Sequence, residues 1–279
     1  MTSTLVVLSG GQDSTTCLFW AMQNFDIVHA ITFDYGQTHA IELDAAVRVA
    51  KLAGVASHTM IKLGEVLKSS SPLTNRSVPL ERYADYDSMD KIIGNRVEKT
   101  FVPMRNAFFL TLAANHALHL GVRSLTTGVC EADNANYPDC RLSFIQQQAA
   151  TINLALGLSD DIYTENLFRI FVPLINMSKD MSIMFAAGLG CLPALAFTHT
   201  AYDGKYPPRG HDHASVLRAE GFKVAGIPDP LVLRAAAHGL MPIPATPNYG
   251  DLDLNANLLI EITKLEEKLN KMDLVNWNA

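Results

Sequence analysis

Leu5-Val6-Val7-Leu8-Ser9-Gly10-Gly11-Gln12-Asp13-Ser14 is a short apolar run that ends in two glycines and opens into a segment with helical spacing. Cys17, Leu18, Met22 and Phe25 recur at that spacing through and just past residues 13–24, so the stretch reads as strand, glycine turn, helix. A turn of this kind leaves backbone N–H groups free and converging, and the helix dipole adds positive potential where an anion would sit. The stretch lacks the Gly-Lys-Ser/Thr ending of a Walker loop and the GxGxxG of a dinucleotide fold, which argues against the kinase-like and dehydrogenase readings. Taken alone, two glycines and a serine after a strand are more often a tight turn with a helix cap. The rest of the chain decides between the two accounts.

Downstream, strands are expected at residues 27–33 and 58–63 around a helix at 38–53 that sets Ile41, Ala45, Val49 and Leu52 on one face. Residues 64–100 keep no period and read as an insertion, a lid or small subdomain. The pattern resumes with a helix at 105–120, a strand at 124–129, a helix at 142–156, a strand at 169–173 and a helix at 178–188. Strands alternating with helices imply an α/β fold, with a parallel sheet of five strands covered on both faces. Past Pro193, a loop rich in Pro, Gly and His leads to helices near 215–221 and 228–238. The expected division is a domain over residues 1–240, a proline-rich linker at 241–251 and an amphipathic helix at 252–273. In that helix Leu258, Ile262, Leu265, Leu269 and Met272 repeat at spacings of 4, 3, 4 and 3.

Composition narrows the function classes. Charged residues make up 18% of the 279, below the roughly 25% of an average soluble protein. Much of the surface is therefore expected to be buried within the chain or against a copy of it, as in a homodimer. A net charge of -6, with no block of Lys or Arg, argues against direct nucleic-acid binding. The first ten residues lack the basic start of a secretory signal. The apolar stretch at 183–197 is too short for a membrane span and contains Gly188, Gly190 and Pro193. Cys17, Cys130, Cys140 and Cys191 form no CxxC pair and read as reduced thiols of a cytoplasmic protein.

Ser9 to Ser14 matches the SGGxDS signature of the PP-loop ATP pyrophosphatases. The chain also resembles the QueC family within that group through Thr32-Phe33-Asp34-Tyr35-Gly36-Gln37, Phe101-Val102-Pro103-Met104-Arg105-Asn106, Gly128-Val129-Cys130-Glu131-Ala132-Asp133 and Tyr137-Pro138-Asp139-Cys140-Arg141. The resemblance implies an adenine nucleotide α-hydrolase-like fold, ATP with Mg²⁺ as cofactor, and activation of the carboxylate of 7-carboxy-7-deazaguanine as an acyl adenylate with release of pyrophosphate. It implies a nucleotide site at Ser9, Gly10, Gly11, Gln12, Asp13, Ser14, Phe33 and Tyr35, and catalytic roles for Asp13, Arg105 and Lys179. Arg105, Asn106, Glu131, Asp133, Tyr137, Asp139 and Arg141 are the expected substrate residues. Carboxylates accept from the N–H groups of a deazaguanine, Tyr137 offers a stacking face and an arginine meets the acid. The chain departs from the family in having Ala135-Asn136 where Ser-Gly usually precedes the tyrosine.

A larger departure lies at residues 198–218. Members of the family hold a structural zinc with four cysteines, and those positions carry Ala201, Arg209, Asp212 and Ser215 here. No structural zinc is therefore expected. A substitute site from His199, His211, Asp212 and His213 is the alternative, since imidazole and carboxylate bind zinc, but neighbouring side chains in His-Asp-His point apart, which favours loop histidines. The loss of all four ligands favours the reading of a zinc-less relative such as that of type IV CBASS antiphage operons, joining the deazaguanine to an amine of a protein such as a nucleotide cyclase. The alternative is a housekeeping enzyme that uses ammonia and two ATP to make 7-cyano-7-deazaguanine for queuosine biosynthesis. A non-catalytic nucleotide-binding module would not need Arg105, Lys179 and the acidic cluster together. A tRNA-thiolating enzyme would want paired cysteines and a basic face. The apolar stripe at 258–272 is expected to dock on its own domain or a second copy, ahead of a foreign protein.

Overall fold

The middle strand of the sheet is Ser3–Val7 (β1), whose Leu5 and Val6 are fully buried and belong to the cores on its opposite faces. The computed structural model describes residues 1–37, 41–131, 136–158, 166–208 and 210–275. After β1 come Gln12–Asn24 (α1), Ile27–Asp34 (β2), Ile41–Ala53 (α2), Ser57–Lys62 (β3) and Tyr86–Ile93 (α3). Arg105–His119 (α4), Ser124–Thr126 (β4), Leu142–Ala155 (α5), Arg169–Phe171 (β5) and Lys179–Gly188 (α6) follow. His213–Ala225 (α7), Pro230–Ala237 (α8) and Leu252–Val275 (α9) complete the order. The sheet runs β3-β2-β1-β4-β5 with every pair parallel, and Leu5 lies in register with His29 on one side and Leu125 on the other. The expected five-stranded parallel α/β fold is the one observed.

Alternation along the strands sorts the core into two layers. Leu5, Ile31, Phe33 and Leu125 pack with Leu110, Ala113 and Ala117 of α4 and Ile145 and Ile152 of α5. Val6, Val28 and Ala30 face Leu18 and Ala21 of α1, Val49 and Ala50 of α2, and Ile262 and Leu269 of α9. The strand order reverses between β1 and β4. Loops leaving their carboxyl ends therefore diverge and open a crevice, the usual ligand position in such sheets.

The differences from the sequence-based expectation have local causes. Strand β4 stops at Thr126 rather than 129, because Gly128 crosses the start of α1 instead of continuing the ladder. The insertion holds α3, started by a capping box in which Asp85 accepts from Ser88 N at 2.8 Å and Ser88 Oγ returns to Asp85 N at 3.1 Å. Met89 and Ile93 of α3 are buried on Val216 and Leu217 of α7. In the stretch expected as a linker, Pro247–Tyr249 forms a 3-10 turn with Asn248 and Tyr249 buried. Helix α9 lies on its own chain: Leu258 joins the core of α6, α7 and α8, while Ile262 and Leu269 join that of the sheet. No helix among the described residues is long and apolar enough to cross a membrane.

Candidate active site

The chain leaves β1 into a loop that its own serines hold together. Ser9 N donates to Ser14 Oγ at 3.2 Å, the two hydroxyls lie 3.0 Å apart, and Ser14 Oγ donates to Gly11 O at 3.1 Å. Gly10 has φ +86°, and a Cβ there would stand 2.3 Å from Glu42 O and 2.7 Å from Ala46 N, so only glycine lets the loop press on α2. On the other side a Cβ on Gly128 would meet Ser14 N at 2.8 Å. Gly11 opens α1 with no side chain capping it, so no side-chain oxygen of the cap residue meets the first-turn N–H groups.

Ser9, Gly11, Gln12, Asp13 and Ser14 line a cavity of about 500 Å³ at the switch point of the sheet. Both amide atoms of Gln12 are buried without a hydrogen-bond partner among the described residues, which costs free energy until a guest or water completes them. Lys179 opens α6 and donates through Nζ to Asp13 Oδ2 at 2.8 Å. Gly221 of α7 makes room for it, since a Cβ there would stand 2.5 Å from Lys179 Cγ. Arg105 opens α4 behind Met104, whose left-handed φ of 65° turns the chain into the helix. Burial opposes its charge, but Tyr35, Tyr137, Tyr202 and Asp139 around it favour the charged form, and its pKa lies above the ordinary arginine value.

Aromatic side chains form one wall: Phe33 stacks on Phe109 with centroids 4.5 Å apart and planes at 17°, and Tyr35 tilts on the same ring at 5.3 Å. Tyr137 is held from the insertion. Glu98, 2% exposed, accepts from Tyr83 Oη at 3.2 Å and Thr100 N at 2.6 Å, and the Thr100 hydroxyl bridges Glu98 to Tyr137 Oη. Phe101 packs on the Tyr137 ring at 5.4 Å.

Of the residues singled out from the sequence, Ser9, Gly11, Gln12, Asp13, Ser14, Phe33, Tyr35, Arg105, Asn106, Glu131, Tyr137, Arg141 and Lys179 line this cavity. Gly10 shapes the loop from behind, and Asp133 lies outside the described residues. Asp139 is not part of the lining. It is buried and accepts from Asn106 N at 3.3 Å, fixing the start of α4, and burial raises its pKa against the pull of Arg105. Glu131 accepts from Leu142 N at 3.1 Å, so its carboxylate also serves the start of α5. Sequence reading missed Glu42, Phe109, Tyr202 and His213 in the lining. Glu42 carried a signal: it shares the helical stripe of Ala45, Ala46 and Val49, where a carboxylate is out of place unless it faces a site. Burial raises its pKa to about 7, with Arg105 opposing and Asp212 adding to the rise. His213 is pushed by burial to about 4 and stays neutral.

At the positions of the family's zinc ligands, Ala201 is fully buried, and Asp212 accepts from Ser215 N at 3.1 Å and from Ser215 Oγ at 2.8 Å as the cap of α7. Arg209 lies outside the described residues. His199 Nε2 lies 2.8 Å from Ala201 O. Among the described residues no three His, Cys, Asp or Glu side chains are grouped to hold a metal ion. Arg218, 3% exposed, ties the segment: it donates to both oxygens of Asp229 at 2.7 and 2.8 Å and to the hydroxyls of Thr198 and Thr200 at 2.8 and 2.9 Å.

A parallel sheet in the order 3-2-1-4-5, with an SGGxDS loop at its switch point, defines an α/β protein of the adenine nucleotide α-hydrolase-like, PP-loop type. The chain belongs to the QueC family: the profile described as "Queuosine biosynthesis protein QueC" matches residues 3–226. A protein of Laribacter hongkongensis named 7-cyano-7-deazaguanine synthase is 44% identical over 233 residues, 83% of this chain and 95% of its own length. Proteins of the same name from Gloeobacter violaceus and Chromobacterium violaceum are 43% and 44% identical, covering 83% and 85% of this chain and 96% of their own lengths.

Proposed function

We propose that this protein uses ATP to adenylate the carboxylate of 7-carboxy-7-deazaguanine, releases pyrophosphate, and passes the acyl group to ammonia on the way to 7-cyano-7-deazaguanine. The observation that carries the reading is that the phosphate loop, the Asp13–Lys179 pair, Arg105 and the aromatic wall open into one cavity. Adenylation needs the carboxylate in line with the α-phosphorus while negative charge grows on the leaving pyrophosphate, so the work falls to positioning and to fixed positive groups. The uncapped start of α1 and Lys179 suit that charge. Arg105 suits the substrate carboxylate or the α-phosphate, and Phe33 with Tyr35 and Phe109 suits a planar base. The donor set fits magnesium, which takes one or two carboxylates and completes its shell with phosphate oxygens and water. Asp13 in the cavity wall would hold the ion, which supplies charge neutralisation at the phosphates when bound.

The relatives favour ammonia over a protein amine as the acceptor, because the chain spans 95% or more of proteins named for the nitrile product. A homodimer belongs to the same reading and is checked by light scattering. The deciding experiment is pyrophosphate release with 7-carboxy-7-deazaguanine, ATP and Mg²⁺, followed by the mass of the product with and without ammonia. The nitrile, with two ATP consumed per molecule, is the expected result. No pyrophosphate overturns the reading, and a product that stops at an adduct with a protein amine restores the defence reading.

A further inference from the structure

Carboxylates around the cavity mostly have visible tasks. Asp13 meets Lys179, Asp139 accepts from Asn106 N, Asp212 caps α7 and Glu131 accepts from Leu142 N. Glu42 has none of these. It is the second residue of α2, lines the cavity with Tyr35 and Arg105, and accepts no hydrogen bond among the described residues. Its backbone is fixed to the phosphate loop, since Glu42 O is the atom that leaves no room for a Cβ on Gly10. A half-buried carboxylate held rigidly beside the place of adenylation, with its oxygens uncommitted, suits a proton transfer that Asp13, Arg105 and Lys179 do not perform.

The second half of the proposed reaction requires such a transfer. When ammonia attacks the acyl carbon, the new C–N bond leaves a positively charged nitrogen that must lose a proton before AMP departs cleanly. We infer that Glu42 accepts the proton released as the amine attacks the acyl adenylate, an inference that rests on the adenylation proposed above. The nitrogen lone pair forms the C–N bond, the acyl C–O bond to AMP breaks with its electrons leaving on AMP, and the proton passes to the Glu42 carboxylate and then to solvent. The products are the amide, AMP and one proton, with no other reactant required. The groups facing Glu42 are Arg105 from α4, which favours its ionised form, Asp212 ahead of α7, which disfavours it, and the Tyr35 phenol after β2, which burial and Glu42 keep in its neutral form. Burial outweighs the arginine, and a base poised about pH 7 is matched to proton transfer near neutrality.

The test separates the two half-reactions in Glu42→Gln. Exchange of pyrophosphate into ATP with 7-carboxy-7-deazaguanine, without ammonia, reads adenylation, and amide formation with ammonia reads the transfer. The expected result is that amide formation falls roughly a hundredfold or more beyond any fall in adenylation. Hydroxylamine, a nucleophile unprotonated at neutral pH that needs less help from a base, should recover most of the lost turnover. Wild-type amide formation, corrected for free ammonia, should show a break near pH 7 that the variant lacks. Glu42→Asp, which keeps the carboxylate one methylene back, should retain the break at an intermediate rate, and it carries the test if the glutamine variant loses its thermal transition. Equal falls in both half-reactions, an unchanged amide rate, or hydroxylamine failing with ammonia would overturn the inference. Absence of pyrophosphate exchange in the wild-type protein would instead overturn the adenylation reading.

Discussion

Lys179 and Asp13 meet at 2.8 Å across the gap between α6 and α1, with side chains 10% and 27% exposed, so the pair is pre-placed where the phosphates are proposed to lie. Removing a charge that acts on the leaving pyrophosphate should cost about 2.7 to 4 kcal/mol in the transition state. Asp13→Ala and Lys179→Ala should therefore each lower pyrophosphate exchange a hundredfold or more with the circular dichroism spectrum unchanged; turnover near wild type in either would remove them from the site. Glu42 gives a prediction of opposite sign for stability. Its folded pKa of about 7 lies above the ordinary 4.5, so the native state binds more protons than the unfolded chain between those values and stability falls as pH rises through them. Glu42→Gln should raise the thermal midpoint at pH 8 more than at pH 4.5, and an equal change at both would mean that the carboxylate is not penalised. At this scale the Ser9–Ser14 loop and its place in the cavity wall were legible because its residues lie in one continuous stretch. Glu98 was not, because its task depends on a hydroxyl bridge to Tyr137, 39 residues away.

Elements decide how the segment at 198–218 is held in this chain. The family's four cysteines would cross-link it through a metal, whereas here Asp212 and Ser215 close a helix cap and Arg218 links Leu195, Thr198 and Thr200 to Asp229. Removing one member of a buried, fully bonded ion pair leaves an uncompensated charge and typically costs about 3–5 kcal/mol. Arg218→Ala should lower stability by that amount in chemical denaturation, whereas a chelator should leave the wild-type transition in place. One zinc per chain by elemental analysis, lost together with stability on chelation, would overturn this account. The insertion carries a parallel lesson. Residues 64–100 have no period because their single helix, α3, spans eight residues, while Tyr83, Glu98 and Thr100 act from outside it. Periodicity finds the layers of the sheet, whose helices run thirteen residues or more in α1, α2, α4 and α5. It does not find a loop tied down by side-chain hydrogen bonds.

For the whole molecule, alternation of strand and helix predicted the parallel sheet, but not that β4 would lie beside β1. That order follows from crossovers that cover both faces, and it creates the crevice the site occupies. The last helix completes one of those faces. Its apolar stripe at spacings of 4 and 3 was visible in the sequence, and its surface was not, because the receiving patch is assembled from β1, β2, α2 and the Leu192–Phe197 turn. Residues 227–279 lie beyond the family match, yet Ile262 is 1% and Leu269 6% exposed among residues inside it. Arg234–Glu266 at 2.6 Å and Lys268 Nζ donating to Leu52 O at 3.1 Å fasten the helix at its sides. A helix that buries side chains in the core of the sheet behaves as part of the domain. Ile262→Ala should then cost about 2–5 kcal/mol in a single unfolding transition. Deleting residues 252–279 should lower stability and both half-reactions together, because it uncovers the core in which α1 and α2, the helices that flank the Ser9–Ser14 loop, are packed. A truncated protein that keeps its thermal midpoint and full adenylation, and loses only transfer to an acceptor, would assign α9 to partner recognition instead.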